Sequence, residues 1–190
     1  MGRPSCKEQI VEAAMEQFHR FGFHGCSVEN ITSAAGVPKG SFYNHFESKE
    51  DLLLEVLGRY RAASPRAVLA DKTLSPLKRL KKYFEQFAQV FVESDYQRGC
   101  MLANATLELA DHSKVIQAYL ASTFVGWAQL ITGVLTEARD QGEITVDADP
   151  TSLAGFLLSA WQGTLMRVRA TRDPKLIKEF QRIAFGVLLI

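Results

Sequence analysis

Residues 27–53 read SVENITSAAGVPKGSFYNHFESKEDLL, and this segment is the most informative part of the chain. At its start Val28, Ile31 and Ala35 recur at steps of three and four residues, which predicts a short helix with one apolar face. Ser27 is placed to cap this helix. The segment predicts two short helices across a tight turn, which is the helix-turn-helix used to enter a DNA major groove.

The second helix of the motif is short and begins after Pro38, which fixes the exit of the chain from a turn that starts at Gly36. It carries Phe42 and Phe46 at positions i and i+4, so both rings lie on one side of the helix. The remaining surface is polar, aromatic and hydrogen-bonding, and is formed by Ser41, Tyr43, Asn44 and His45. A third helix follows, because residues 48–51 fit a capping box.

In their order and spacing these motifs resemble the TetR/AcrR family of bacterial repressors. The resemblance is carried by Gly-Phe-His-Gly-Cys at 22–26, Ala-Ala-Gly-Val at 34–37, Lys-Gly-Ser-Phe-Tyr at 39–43, His45-Phe46, and Ser-Lys-Glu at 48–50. Apolar spacing alone would be weaker evidence, because any small helical hairpin shows it. The ordered set of motifs identifies the chain as a member of the family.

The resemblance implies an all-α fold with a helix-turn-helix DNA-binding domain at 1–60 and a helical ligand-binding and dimerisation domain at 61–190. It implies a repressor that binds a palindromic double-stranded DNA operator as a homodimer and is released by a small-molecule effector. Lys39, Tyr43, His45 and Lys49 are expected to meet phosphates, while Gly40, Ser41 and Asn44 approach bases. The full set expected at the DNA is Ser27, Thr32, Lys39, Gly40, Ser41, Tyr43, Asn44, His45 and Lys49.

The rest of the chain shows helical periodicity and no strand pattern of period two, which also predicts an all-α protein. The first helix is opened by a capping box at 5–8 and stops at Gly22. The segment from Ser64-Pro65 to Thr73 fits either a kinked continuation of the third helix or a loop. We place the domain boundary near this segment. Further helices are predicted after Ser75, from about 101 to 109, from 111 to 142, from 149 to about 171, and after Asp173.

The last two helices are the predicted dimer surface. Gly155, Ser159 and Gly163 form a ridge of small residues at four-residue spacing, which lets another helix approach closely. The family pattern implies the same four-helix contact, whereas without it the ridge could serve packing inside one subunit. The predicted interface consists of Gly155, Phe156, Ser159, Gly163, Phe180, Ile183 and Val187, with Trp161 adding apolar area.

The larger domain is richer in aromatic side chains than a minimal core requires, as expected for a pocket that holds an apolar or flat ligand. An aromatic stripe at helical spacing is more often plain core, so the resemblance carries this prediction. The predicted effector pocket consists of Phe84, Phe87, Phe91, Cys100, Asn104, Tyr119, Phe124, Trp127 and Trp161.

The net charge of +1 is low for a DNA-binding protein, because backbone affinity comes from cations that neutralise phosphates. Residues 1–61, which include Arg3, carry slightly more acids than bases. However, Glu8, Glu12 and Glu16 fall on one stripe of the first helix, so they can face away from DNA while Lys39 and Lys49 face it.

Composition excludes several other classes of protein. A content of 47% hydrophobic and 23% charged residues suits a compact cytoplasmic protein, and neither a signal peptide nor a charge-free run long enough for a bilayer is visible. The three cysteines, Cys6, Cys26 and Cys100, are an odd number at wide spacing and are expected to be free thiols. No phosphate loop or nucleophile elbow indicates an enzyme, and no cofactor or metal is expected.

Two alternatives remain open at this point. Cys100 follows Arg98 at the start of a helix, where both features favour thiolate, and residues 99–108 loosely resemble the NemR-like branch of the family, in which cysteine modification by electrophiles releases DNA. A helical ligand- or metal-binding protein without DNA affinity is the other class. Its only suggestive metal set is Glu108, Asp111 and His112, for which a solvated or capping role is far commoner.

Overall fold

The computed structural model describes residues 5–190, and every regular element in that range is helical. This confirms the predicted all-α class. Arg3, counted above among the basic residues of 1–61, lies outside the described residues. The α-helices are α1 (Cys6–Phe21), α2 (Val28–Ala34), α3 (Lys49–Ala62), α4 (Pro76–Glu93), α5 (Met101–Leu109), α6 (Lys114–Asp140), α7 (Pro150–Thr171) and α8 (Lys175–Ile183).

Three shorter segments complete the chain. Lys39–Asn44 is a 3₁₀ helix, called here the reading helix, and it replaces the second α-helix expected from the sequence. The segment left open between loop and kinked helix contains a second 3₁₀ helix, Arg66–Ala70. A π-helical turn, Ala184–Leu188, follows α8. The reading helix has only six residues, so its orientation depends on packing rather than on its own hydrogen bonds.

The chain divides into two compact units. The first takes the described residues up to Ala63 together with Cys100–Leu120, and the second takes Ser64–Gly99 and Ala121–Ile190. Helix α5 and the start of α6 therefore pack with the N-terminal helices, an arrangement that a linear division at residue 60 does not anticipate. As a division of function, 1–60 against 61–190 stays a prediction.

The core of the first unit is formed mainly by apolar side chains that are closed to solvent. Ile10 and Ala14 of α1, Ile31 of α2, Phe42 of the reading helix and Val56 of α3 are all buried. Burial of an isoleucine, valine or phenylalanine side chain stabilises the fold by about 1.5–3 kcal/mol, and burial of the smaller alanine stabilises it less. This shared core holds α2 and the reading helix against α1 and α3.

Helix α5 joins the first unit through polar contacts to the turn between α1 and α2. Glu108 accepts a hydrogen bond at Oε2 from the backbone N–H of His24, at 3.0 Å. The carboxylate lies where a side chain at Gly22 would stand, since a Cβ there would come within 2.5 Å of Glu108 Oε1, and Gly22 has a φ of +74°. At the start of α6, Ser113 Oγ donates to Glu50 Oε2 of α3 at 2.7 Å.

The second unit has an aromatic core and one buried cation. Phe84 of α4 packs edge-on against Trp161 of α7 at 5.5 Å between ring centroids, and against Phe180 of α8 at 5.2 Å. Arg79 of α4 is 1% exposed; it donates to the carbonyl of Leu69 at 2.8 Å and forms an ion pair with Glu137 of α6. Arg79 was not singled out from the sequence because its side chain is charged, although it lies four residues before the buried Tyr83 and so on the same face of α4.

Helix α6 is long and apolar enough, by length and composition alone, to cross a membrane. The core helix of a soluble protein passes the same test, and α6 buries Ile116, Trp127, Ile131 and Leu135 within the described chain. Val115, Val125 and Leu130 of the same helix are exposed.

Candidate nucleic-acid interface

Helix α2 begins and ends as its sequence predicts. Ser27 Oγ accepts from the backbone N–H of Asn30 at 3.0 Å, and Asn30 Oδ1 accepts from the backbone N–H of Ser27 at 2.9 Å. These two bonds form a reciprocal capping box. At the other end Gly36 has a φ of +67°, a left-handed conformation that a glycine adopts without strain. The turn then leads through Pro38 into the reading helix.

The reading helix has a buried side and an exposed side. Phe42 lies in the core, and Phe46, which follows the end of the reading helix instead of lying within it, is also buried, with the two ring centroids 5.6 Å apart. Tyr43 is 61% exposed, and its ring packs edge-on against Phe42 with 5.1 Å between the centroids. The buried Phe42 ring therefore holds the Tyr43 ring in position. Ser41 is half-buried. The exposed members of the predicted DNA set are Ser27 at the start of α2 and, in or directly after the reading helix, Lys39, Gly40, Tyr43, Asn44 and His45.

Lys39 is an exposed and only loosely paired cation of the motif. Its Nζ lies 3.4 Å from Glu29 Oε2, and both side chains are more than half exposed. An ion pair of this kind is worth at most about 1 kcal/mol, so a phosphate can replace Glu29 at little cost.

Thr32 does not lie where a DNA contact requires. Its side chain is 1% exposed, and Oγ1 donates to the carbonyls of Val28 at 3.0 Å and Glu29 at 3.2 Å within its own helix. The expectation that Thr32 meets DNA does not fit this placement. β-Branched threonine can turn its hydroxyl back onto the helix, and the apolar half of the side chain then faces the core.

Lys49 is also turned inward, contrary to the expectation that it faces DNA. Its Nζ donates to the carbonyl of Phe23 at 2.8 Å and to the carbonyl of Cys26 at 2.6 Å. The ammonium lies 4.1 Å from the centroid of the Phe23 ring. The sequence motif placed Lys49 correctly at the first turn of α3, but the motif does not contain the direction of a flexible four-carbon side chain.

The acidic stripe of α1 is partly neutralised inside the unit. Glu8 forms an ion pair with Arg59 of α3, which also binds Glu55 at 2.8 Å. The Arg59 guanidinium lowers the pKa of Glu8, and the Glu8 carboxylate in turn raises the pKa of Arg59. Glu12 and Glu16 stay exposed. Glu8 therefore does not complete the capping box of α1; Ser5 Oγ alone accepts, from the Glu8 backbone N–H at 3.3 Å.

No disulfide joins Cys6, Cys26 or Cys100, which agrees with the prediction. Cys26 is buried, its Sγ donates to the carbonyls of Gly22 at 3.0 Å and Gln17 at 3.2 Å, and burial raises its pKa. Cys100 takes the cap position of α5, but its side chain is buried. A thiol that senses electrophiles must be reached by them, so burial gives the Cys100 alternative no support.

The side chains predicted to line an effector pocket are divided between the two units. Cys100, Asn104 and Tyr119 belong to the first unit, and the others belong to the second. In the second unit the Phe87 and Trp127 rings lie 5.5 Å apart, the Phe124 ring stacks on Trp127 at 6.3 Å, and the Phe91 ring contacts Tyr96 at 5.6 Å. Trp127 and Trp161 are both at least nine-tenths buried, and the indole Nε1 of each has no hydrogen-bond partner among the described residues.

The predicted dimer surface includes exposed apolar side chains on α7, on α8 and on the π-helical turn that follows α8. Phe156 is 57% exposed, Val187 is 60% exposed, and Ile183 is also exposed. A groove of about 340 Å³ runs between the two helices and is lined by Phe156, Gly163 and Ile183 among others. A Cβ at Gly155 or Gly163 would meet no atom within 4 Å. Phe180, in contrast, is buried and forms the floor of this groove together with core residues, and Trp161 lies in the core.

Among residues 5–190 no three His, Cys, Asp or Glu side chains come together as they would to hold a metal ion. Glu108, the first of the suggestive set, is occupied by the His24 backbone instead. The metal-binding alternative gains nothing from this arrangement.

A capped α2, a glycine turn and a short reading helix with an exposed polar side define a helix-turn-helix DNA-binding regulator, here followed by a helical second unit. Two family models match the chain: "Bacterial regulatory proteins, tetR family" over residues 10–56, and "Tetracyclin repressor-like, C-terminal domain" over residues 76–184. The chain belongs to the TetR family of bacterial transcription regulators.

Individual relatives agree with this assignment. The chain is 34% identical to the HTH-type transcriptional repressor DhaR of Mycobacterium sp. (strain GP1), over 100% of this chain and 95% of the relative. It is similar to the crystal structure of a regulatory protein TetR from Rhodobacter sphaeroides, with a TM-score of 0.88 and 27% identity over 95% of this chain and 97% of that one. The repressor NemR of Escherichia coli K12 is 26% identical, over 88% and 85% of the two chains.

Proposed function

We propose that this protein is a repressor that binds a palindromic operator as a homodimer and leaves it when an effector binds in the second unit. The observation that carries the proposal is the reading helix, whose exposed side presents hydrogen-bonding groups while Phe42 and Phe46 anchor it from the core. One six-residue helix reads too few base pairs for a specific site. A two-fold dimer doubles the readout by placing two such helices about 34 Å apart, or a multiple of that, along the duplex.

The exposed side chains divide by chemistry into two groups. Lys39 and the hydroxyl of Tyr43 suit phosphate oxygens, which fix register without reading sequence. Asn44 is exposed, and its amide can form hydrogen bonds to N6 and N7 of one adenine together. Gly40 has no side chain, so the backbone there can approach the duplex closely.

Selection of bound duplexes from a random library, at about physiological salt where non-specific phosphate binding is weak, tests the proposal directly. We expect one palindromic sequence with equal half-sites. A folded dimer that enriches no sequence would contradict operator recognition.

The effector proposed here is a flat, largely apolar molecule that carries hydrogen-bond acceptors. The support is the pair of buried indole N–H groups of Trp127 and Trp161, which can only donate and find no acceptor among the described residues. An unsatisfied buried donor costs about 1–3 kcal/mol, which a ligand oxygen would recover. The neighbouring Phe84, Phe87 and Phe124 rings supply apolar contact area. Release of the selected duplex identifies such a compound.

Substitution of Phe156 by glutamate is predicted to weaken the dimer. The side chain lies on the exposed α7–α8 face, so removing an aromatic anchor and introducing a charge there raises the dissociation constant by at least about tenfold. Sedimentation velocity over a concentration series measures this change. Val90→Glu is the control, because Val90 is 58% exposed on α4 and lies outside the groove. Equal dissociation in the two variants would place the interface elsewhere.

The proposed site of action is the cytoplasm, where a regulator meets chromosomal DNA. Family membership supports this location.

A further inference from the structure

We propose that Lys49 is a positioning residue that clamps the turn between α1 and α2 to the start of α3, and that it acts on DNA recognition through this clamp rather than through a phosphate. The carbonyls of Phe23 and Cys26 accept from its Nζ at 2.8 and 2.6 Å. Both distances are short for a nitrogen donor, as expected when the donor is charged.

The ammonium group of Lys49 makes three contacts inside the protein. An ammonium has three N–H donors, of which two are bound to the carbonyls. The remaining side of the group lies against the Phe23 ring, 4.1 Å from its centroid, which is cation–π distance. A phosphate that accepted a hydrogen bond from this ammonium would compete with contacts that the fold already makes.

The two carbonyls lie next to the start of α2, so a contact to them affects the position of the first helix of the helix-turn-helix. Cys26 comes directly before Ser27, the capping residue of α2, and Lys49 is the first residue of α3. The clamp therefore joins the start of α2 to the start of α3, and the reading helix lies between these two points in the chain. On the other side of the turn the Cys26 thiol donates to the carbonyl of Gly22 at 3.0 Å. The turn is held from both sides.

This arrangement predicts different effects for the two lysines of the motif. Lys39 is exposed and only loosely paired, whereas Lys49 is half-buried with strong backbone partners. Removing a phosphate contact reduces the slope of log affinity against log salt by about 0.9 per phosphate. Removing an internal clamp leaves this slope unchanged and lowers stability instead.

Lys49→Met and Lys39→Met are matched variants that separate these roles. For Lys49→Met we expect a melting temperature lower by about 5 °C, faster amide hydrogen exchange at residues 24–28, and weaker duplex binding with the wild-type salt slope. For Lys39→Met we expect the wild-type melting temperature and exchange, with a slope reduced by about 0.9 per lost phosphate contact. Binding is measured on the duplex selected above, from 50 to 300 mM salt.

A reduced salt slope in Lys49→Met, or a wild-type melting temperature and exchange pattern in that variant, would overturn the clamp. The DNA measurement rests on the proposed operator recognition, but the melting and exchange measurements do not. If wild-type protein selects no duplex, operator recognition fails, and the clamp is then judged on melting and exchange alone.

Discussion

Replacement of Arg79 by methionine is expected to lower the free energy of unfolding by about 3 kcal/mol, which corresponds to about 6–12 °C in melting temperature for a chain of this size. Arg79 is buried and joins its own helix α4 to two other elements of the second unit. It binds the carbonyl of Leu69 in the 3₁₀ helix Arg66–Ala70, and it pairs with Glu137 of α6. Methionine fills similar volume but leaves the Leu69 carbonyl without this donor. Urea unfolding followed by circular dichroism measures the loss.

The cost stays near the lower end of the range for buried ion pairs because Glu137 retains a second partner. Lys72 Nζ lies 2.6 Å from Glu137 Oε1, and together Lys72 and Arg79 hold the pKa of Glu137 below its ordinary value. Lys72→Met provides the matched control. Lys72 is exposed, so its removal should cost less than about 1 kcal/mol. If both variants lost the same stability, burial of Arg79 would not be the cause.

Substitution of Asn44 by alanine is expected to produce the largest loss of specific DNA binding. A base contact is worth about 1–3 kcal/mol, and a symmetric dimer loses it twice. Affinity for the selected duplex should therefore fall by about 30-fold to 20,000-fold, with a relaxed preference at one base pair of each half-site. Fluorescence anisotropy on single-base variants of the duplex measures both effects. Asn44 is exposed and outside the core, so the fold should be unchanged.

Tyr43→Phe serves as the control for this experiment. It keeps the ring that packs on Phe42 but removes the hydroxyl, so affinity should fall by a similar factor on every duplex and base preference should stay the same. Loss of preference in Tyr43→Phe, or a uniform loss in Asn44→Ala, would reverse the roles assigned to these two residues.

Much of the interface could be predicted because it depends on local rules. The Ser27 cap, the left-handed Gly36 and the buried Phe42 follow from preferences of neighbouring residues along the chain. Thr32 and Lys49 were assigned to the DNA from their positions in a motif, and the structure turns both inward. Their direction depends on backbone carbonyls that the motif does not specify: in the helix itself for Thr32, and more than twenty positions away for Lys49.

Helical class, helix ends and the location of the reading helix followed from residue spacing and caps alone, because these are set by interactions within a few residues. Tertiary packing settled where the polar side chains point: Lys49 toward the α1–α2 turn, Arg79 into the second unit, and Glu108 onto the backbone of His24. Such contacts join residues that are distant in sequence, and burial makes an unpaired charge or carbonyl costly. These polar groups come together only when the chain has folded. Local residue spacing therefore does not predict which of them will pair.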